Sequence, residues 1–303
     1  MAPEFGNTDG PLRGDREGLL TSRRLSASVS DVAQSLVLLE RPAAITENSA
    51  ARITQVGAYT APSSPDGPFL IERGRIAVRI DAEAVTGAFL VGSDAGGAPD
   101  SAFPALRLHG PGDRIVHRCH ALESIDRLVL DGIARAEGSV IAAEGAAFQP
   151  VASRRADELP DQLQRMDELV TRASGHEPSL PHRHIDPGVL FAVFEHVSNV
   201  ALPLGIAVLS AAALQAVQEV VESVSWRDGA AVVTVHGAIL EIALAGVHHC
   251  ILLRLQGAHG PTSVLELYDL DNRCIAVLTQ FGIVGAEVHE AWEHLTDSLP
   301  GHV

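Results

Sequence analysis

The strongest constraint on the fold is a segment that the chain uses twice. Ser263 to Ala276, S-V-L-E-L-Y-D-L-D-N-R-C-I-A, places strand-like residues on both sides of a polar turn. Leu265 and Leu267 alternate with Glu266 and Tyr268, the period-2 pattern of a half-buried strand. Asp269, Asp271 and Asn272 supply turn chemistry, since their short polar side chains bond to nearby backbone. Arg273 to Ala276 begin the return strand. Upstream, Ala105 to His117 reads A-L-R-L-H-G-P-G-D-R-I-V-H, with Leu106, Leu108, Arg114 and Val116 matching Leu265, Leu267, Arg273 and Ile275 at an offset of 159. The strands before it recur as well. Val78 to Ile80 and Val85 to Val91 match Leu240 to Ile242 and Val247 to Leu253 at an offset of 162. Two blocks in the same order, parted by a slip of three residues, predict an internal duplication.

The predicted fold class is α+β: two tandem homologous repeats, each a mainly antiparallel β-sheet with helices packed at one end or face. Residues 1–30 are polar and read as a disordered tail. Residues 31–150 form the N-terminal repeat, 151–185 an inter-repeat connection and 186–303 the C-terminal repeat. Helices are expected over Asp31 to Leu39 and over Glu123 to Arg135, the latter with Ile125, Val129 and Ile133 inward. Leu159 to Ala173 is also helix-like. A further helix should follow Asp186-Pro187-Gly188, with Leu190, Phe194 and Val197 as its apolar face. Glu287 to Leu299 closes the chain, with Val288, Trp292 and Leu295 facing inward. Strands are expected over Ala51 to Tyr59, Pro68 to Ile80, Gly205 to Leu209, Leu214 to Val224, Ala231 to Val235 and Ala238 to Ala243.

Composition excludes several function classes. With 38 acidic and 22 basic side chains the net charge is −16, which opposes nucleic acid and anionic lipid. No apolar run is long enough for a transmembrane helix, and the first residues lack the apolar core of a secretion signal. Three isolated cysteines fit a reducing compartment better than a disulfide framework, so the expected location is the cytoplasm. Gly96-Gly97 lacks the spacing of a phosphate loop, and no G-x-S-x-G supports a hydrolase.

The segment T-S-V-L-E-L-Y-D-L-D-N-R-C-I-A, followed by Gly285 and Trp292, resembles the C-terminal repeat of the cytoplasmic haem-trafficking and hemin-degrading factor family (HemS/ChuS/PhuS-like). Their recurring string is T-S-L-E-x-[FY]-D, an I-A pair, a glycine and E-x-x-x-W. In the N-terminal repeat, A-L-R-L-H-G-P-G-D-R-I-V-H-R is similar to the family's S-L-Q-F-F-D-x-x-G-x-A-V-H-K, which places His117 and Arg118 on its His-Lys pair. Val56 to Tyr59 resembles its V-G-x-Y. The resemblance implies a duplicated fold and b-type haem as cofactor. It implies a role in haem uptake, trafficking or iron release, with ring opening in some members. Partners would be haem itself and an inner-membrane haem importer or a haem oxygenase. The chain departs from the family in its basic segments: F-G-K-R-K-P-G becomes Phe281 to Gly285 without a charge, and R-K-P-T becomes Arg254 to Gly257 with one arginine left. The family's D-x-H-x-F-F string is absent. These losses favour an alternative, a non-enzymatic fold relative that has lost haem and serves as a ligand-binding or interaction module.

Haem needs an axial ligand, an apolar slot and partners for two propionates. Fourteen histidines offer candidates. His182 and His184 lie in the connection, where the family keeps its iron ligand, and are the expected metal ligands. His117, His176 and His196 are alternatives. Arg254, Arg118 and Arg183 are the expected propionate partners. A haem pocket in this chain requires at least two of these arginines beside one apolar slot that also holds a histidine. His248 and His249 sit in a strand, so their rings point to opposite faces. His117 and Cys119 share one strand face and Arg118 and His120 the other, too few on either side for a closed zinc site. Nothing in the sequence supports catalysis by the polypeptide itself; if the ring is opened, haem iron carries the chemistry.

Overall fold

The computed structural model describes residues 21–60, 71–92, 104–135, 180–257, 260–281 and 284–301. The helix-like stretch 159–173, His176 and the glycine-rich loop from residue 93 lie outside the described residues. The twice-used hairpin forms as expected. β14 (Gly260–Tyr268) pairs antiparallel with β15 (Cys274–Thr279). Asp269 closes the turn, its Oδ1 accepting the backbone N–H groups of Asp271 and Arg273 at 3.0 and 2.9 Å. The upstream copy pairs β6 (Ala105–His109) with β7 (Ile115–His120).

The duplication is written into the strand register. In the N-terminal repeat the order is β1 (Thr21–Arg24), β5 (Gly87–Gly92), β6, β7, β2 (Ala43–Glu47), β3 (Ala51–Val56). In the C-terminal repeat it is β8 (His182–Ile185), β13 (His249–Gly257), β14, β15, β9 (Pro203–Leu209), β10 (Ala213–Arg227). Equivalent residues pair with equivalent residues: Leu106 with Cys119 and Leu265 with Leu278, Ala44 with Cys119 and Ile206 with Leu278. Even the ladder irregularity recurs, after Leu108 in one copy and after Leu267 in the other.

The repeats are not separate bodies. β10 of the second repeat pairs with β4 (Ala77–Ile80) of the first, Ala213 against Ile80. β3 of the first pairs with β12 (Ala238–Ala243) of the second, Ala51 against Ile242. These two ladders are the same ladder seen from either copy, the self-complementary arrangement of a two-fold contact. β11 (Ala230–Val235) then joins β12 to the far half of β10. The hairpin tips lock the exchange. Asn48 Nδ2 donates to the Ile275 carbonyl at 2.8 Å, and its counterpart Ser210 Oγ donates to the Val116 carbonyl at 2.9 Å.

Helices cover one face of each sheet. α1 (Val29–Ser35) and α2 (Ser124–Arg135) contribute to a core with Leu106, Leu108 and Cys119. α3 (Leu190–Asn199) and α4 (Ala286–Ser298) contribute to a core with Cys250, Leu252, Leu265 and Leu267. Trp292 is fully buried, and its indole N–H donates to the Ser263 carbonyl at 2.8 Å. Glu293 accepts from the Ser263 N–H and hydroxyl, both at 2.7 Å, so α4 is pinned to the start of the organising hairpin. Among the described residues no helix is long and apolar enough to cross a membrane.

Several expectations are corrected. The stretch expected to be a disordered tail carries β1 from Thr21 and the start of α1, whose N-cap is Ser28. The connection ends in a strand: β8 adds to the sheet edge at β13. Pro68 to Ile80 shortens to β4, after a turn at residues 73–75. On α2 the buried residues include Leu130, Ile133 and Ala134, while Ile125 is exposed. A four-residue spacing drifts around a 3.6-residue helix, so Ile125 has left the inward stripe that Ile133 occupies. Replacing Trp292 with alanine removes the largest packed ring and one buried hydrogen bond. The expected cost is about 3–5 kcal/mol, read as a fall in urea midpoint without a change in slope.

Candidate functional site

Strand alternation sorts the C-terminal sheet into two faces, and the candidate residues divide between them. Arg183 pairs with Leu252 across β8 and β13, on the helix-covered face. Its guanidinium donates to the Leu299 and Thr296 carbonyls at 2.8 and 2.9 Å, at the C-terminal end of α4. Arg254 lies on the same face and ion-pairs with Asp297 and, at 3.6 Å, with Glu293, both on α4. These arginines fasten a helix to a sheet.

His182 and His184 take the opposite face, in register with Leu253 and Ile251 of β13. Their ring centroids lie 5.3 Å apart, and His184 lies 6.1 Å from His249. His249 stacks on Tyr268 at 4.8 Å with the rings 2° from parallel. The Tyr268 hydroxyl donates to the buried Glu266 carboxylate. His182 holds its Nδ1 proton against the Leu180 carbonyl at 2.9 Å, which leaves Nε2 as the basic nitrogen. His184 makes ring contacts and no hydrogen bond among the described residues. Behind this row lies a buried apolar carpet of Leu209, Leu214, Ile251, Leu253, Val264 and Val277.

Sequence reasoning placed His248 and His249 on opposite strand faces without assigning either to the site, and did not single out Tyr268 or Glu266. The available signal was alternation: His249, Ile251 and Leu253 share a face once β8 is known to pair with β13. His248 is exposed and His196 is exposed near the end of α3.

His117 is withdrawn from the ligand set. It is buried, with Nδ1 2.9 Å from Thr46 Oγ1 and Nε2 2.9 Å from the Tyr59 hydroxyl. Thr46 donates onward to Gln215 Oε1 at 2.9 Å, so it accepts the Nδ1 proton, and Tyr59 donates to Nε2. Both ring nitrogens are consumed in a wire that joins β2 and β7 of one repeat to β10 of the other. Burial, with Arg118 adding to it, lowers the imidazole to about 3, and burial pushes the neighbouring Cys119 thiol up to about 12. Arg118 faces the other way and pairs with Glu47 at 2.6 Å.

The expected constellation of two arginines and a histidine beside one apolar slot is therefore not assembled. Among the described residues no group of three or more His, Cys, Asp or Glu is placed to hold a metal ion. Toward haem the fit is divided. The β8 edge offers imidazole nitrogens beside apolar rows, and the expected propionate arginines serve elsewhere.

No family model matches the chain, and no curated protein sequence matches it. Solved structures share its fold. The heme-binding protein PhuS from Pseudomonas aeruginosa, in its holo form, is 17% identical with a TM-score of 0.68, covering 93% of this chain and 87% of that one. The heme degrading enzyme ChuS of Escherichia coli O157:H7 is 16% identical with a TM-score of 0.71, covering 92% and 86%. A second ChuS structure, described as an E. coli heme oxygenase, is 14% identical with a TM-score of 0.68, covering 92% and 88%.

The buried His117 makes a pH prediction. Its folded value lies below the ordinary 6.5, so the unfolded chain takes up a proton that the folded chain refuses. Stability should then fall as pH drops from about 6.5 toward 3. Replacing His117 with glutamine removes this contribution and should flatten the pH dependence of the urea midpoint relative to wild type. An unchanged slope would show that His117 is not held neutral.

Proposed function

We propose that this protein binds haem at the β8 edge of the C-terminal sheet, with His184 as iron ligand and His182 beside it. The observation that carries this reading is the shared face. His182 and His184 project from an edge strand onto the side that holds the apolar rows of β13 and β14. A porphyrin requires this pairing of an imidazole and an apolar wall. The fold shared with PhuS and ChuS over about nine-tenths of the chain supports it. His184 is the better ligand because no hydrogen bond to a described residue must be broken to present its nitrogen. The His249 and Tyr268 rings form a flat apolar flank at the same edge, and Glu266 keeps the Tyr268 hydroxyl oriented. Bound haem would supply the iron chemistry, and this chain's residues would bind and orient it. In that role the protein would serve haem uptake, trafficking or iron release in the cytoplasm, receiving haem from an importer or passing it to an oxygenase.

A second reading rests on a different observation. Arg183 and Arg254 are engaged with α4 and His117 is closed inside a buried network. A relative that kept the fold and lost haem would show this pattern, and would act as a ligand-binding or interaction module.

A hemin titration separates the two. Wild type should develop a saturable Soret band, and His182→Ala with His184→Ala should abolish or shift it. Arg254→Ala should leave the hemin affinity within about threefold, since each 1.4 kcal/mol of lost contact would cost tenfold and its guanidinium faces α4. No saturable band in wild type would leave the second reading.

A further inference from the structure

The helix-covered side of the second repeat holds a buried acid that haem binding does not use. Glu219 sits on β10 directly opposite Leu204 of β9, so its side chain points to the side that α3 and α4 cover. It is 5% exposed, and its Oε2 lies 3.2 Å from Arg73 Nε. The other carboxylate oxygen, Oε1, is buried and has no hydrogen-bond partner among the described residues. A buried carboxylate oxygen without a donor is costly, and its presence calls for a reason. The scaffold supplies none. With Ala51 opposite Ile242 and Ala213 opposite Ile80, the first repeat's equivalent of Glu219 is Gly57. A Cβ there would lie 2.8 Å from the Gly74 carbonyl oxygen, so that copy has no side chain at all at this place.

Glu219 lines an open cleft of about 270 Å³ beside the start of α4, with Arg73, Gln218, Val220, Val284 and Val288 among its walls. Sites for drug-sized molecules span roughly 300–1,000 Å³, so an occupant here is small. We propose that this cleft binds a small aliphatic α-amino acid, with its ammonium group on Glu219 Oε1 and its carboxylate on the Nη atoms of Arg73. The aliphatic side chain lies against Val220, Val284 and Val288. The two wall charges favour a zwitterion. A simple amine would meet the Arg73 cation, and a simple carboxylate would meet Glu219. A molecule with both charges makes two charge-assisted contacts. Arg73 is suited to this role: its Nε is the atom turned to Glu219, and its side chain is 81% exposed. Gln218 gives its Oε1 to the Phe281 N–H, which leaves its amide nitrogen as a further donor. This reading is independent of haem, whose proposed ligands lie on the opposite face of the sheet.

The experiment is isothermal titration of the full chain with L-valine and L-leucine, and then with isobutylamine and isovalerate, each of which keeps one of valine's two charges. One saturable site is expected for at least one amino acid, with both single-charge probes weaker by about tenfold or more. Glu219→Gln removes the ammonium partner at nearly constant shape and should weaken amino-acid binding by about tenfold or more. Arg73→Gln is the second variant, on an exposed side chain, in case the first melts early. It should weaken the amino acid and leave isobutylamine unchanged or tighter, which a merely structural ion pair would not do. No saturable binding of either amino acid at about 10 mM, equal affinity for isobutylamine and the amino acid in wild type, or wild-type affinity in folded Glu219→Gln and Arg73→Gln, overturns the proposal.

Discussion

The structure depends on a reciprocal loan of strands. β3 of the first repeat ends its own ladder and continues onto β12 of the second, while β10 of the second continues onto β4 of the first. Each repeat alone would leave a row of unpaired N–H and C=O groups along its last strand. The exchange satisfies both rows at once and makes the duplication a single folding unit. The pinning bonds from Asn48 and Ser210 are equivalent groups doing equivalent work, although one is an amide and the other a hydroxyl. The hydrogen-bond wire from Tyr59 through His117 and Thr46 to Gln215 crosses the same seam. Polar groups this deep persist because each has its partner.

Against that shared backbone the two outer faces have diverged. The second repeat carries an apolar carpet bounded by His182, His184 and His249. The first carries Arg52, Arg107 and Arg118 around His120, whose imidazole burial and these arginines hold down at about 4. The inward faces stayed alike, with leucines at equivalent places, because the helices packed on them tolerate few changes of volume. Divergence is found on the faces opposite the helices described above. The two repeats thus hold one scaffold and two chemistries.

How far the sequence could be read follows from the range of each signal. The hairpin around Asp269, the helix after Pro187 and the inward Trp292 are local patterns, and they stand where the periodicity placed them. The offsets of 159 and 162 reappear as ladder register. β1 and β8 were missed because four-residue stretches such as T-S-R-R and H-R-H-I, with at most one apolar side chain, have no strand period of their own. They are strands because β5 and β13 offer open edges. The site suffered most from this. With β8 read as a connection, Arg183, Arg254 and the two histidines could be imagined around one cavity. Pairing with β13 sends the arginines to α4 and the histidines to the other side.

By itself the sequence determined that the chain is a duplicated, mainly antiparallel α+β protein, and which residues in each strand share a face. Those properties repeat within two to four residues or recur at a constant offset. Only the tertiary structure decided which face a helix covers, which repeat lends a strand to which, and which cations are spent on structure. Those outcomes turn on contacts between residues far apart in the chain, such as Arg183 with the end of α4 or Thr46 with Gln215. A side chain's chemistry is legible from its type, but its freedom to bind anything depends on the partner that reaches it first.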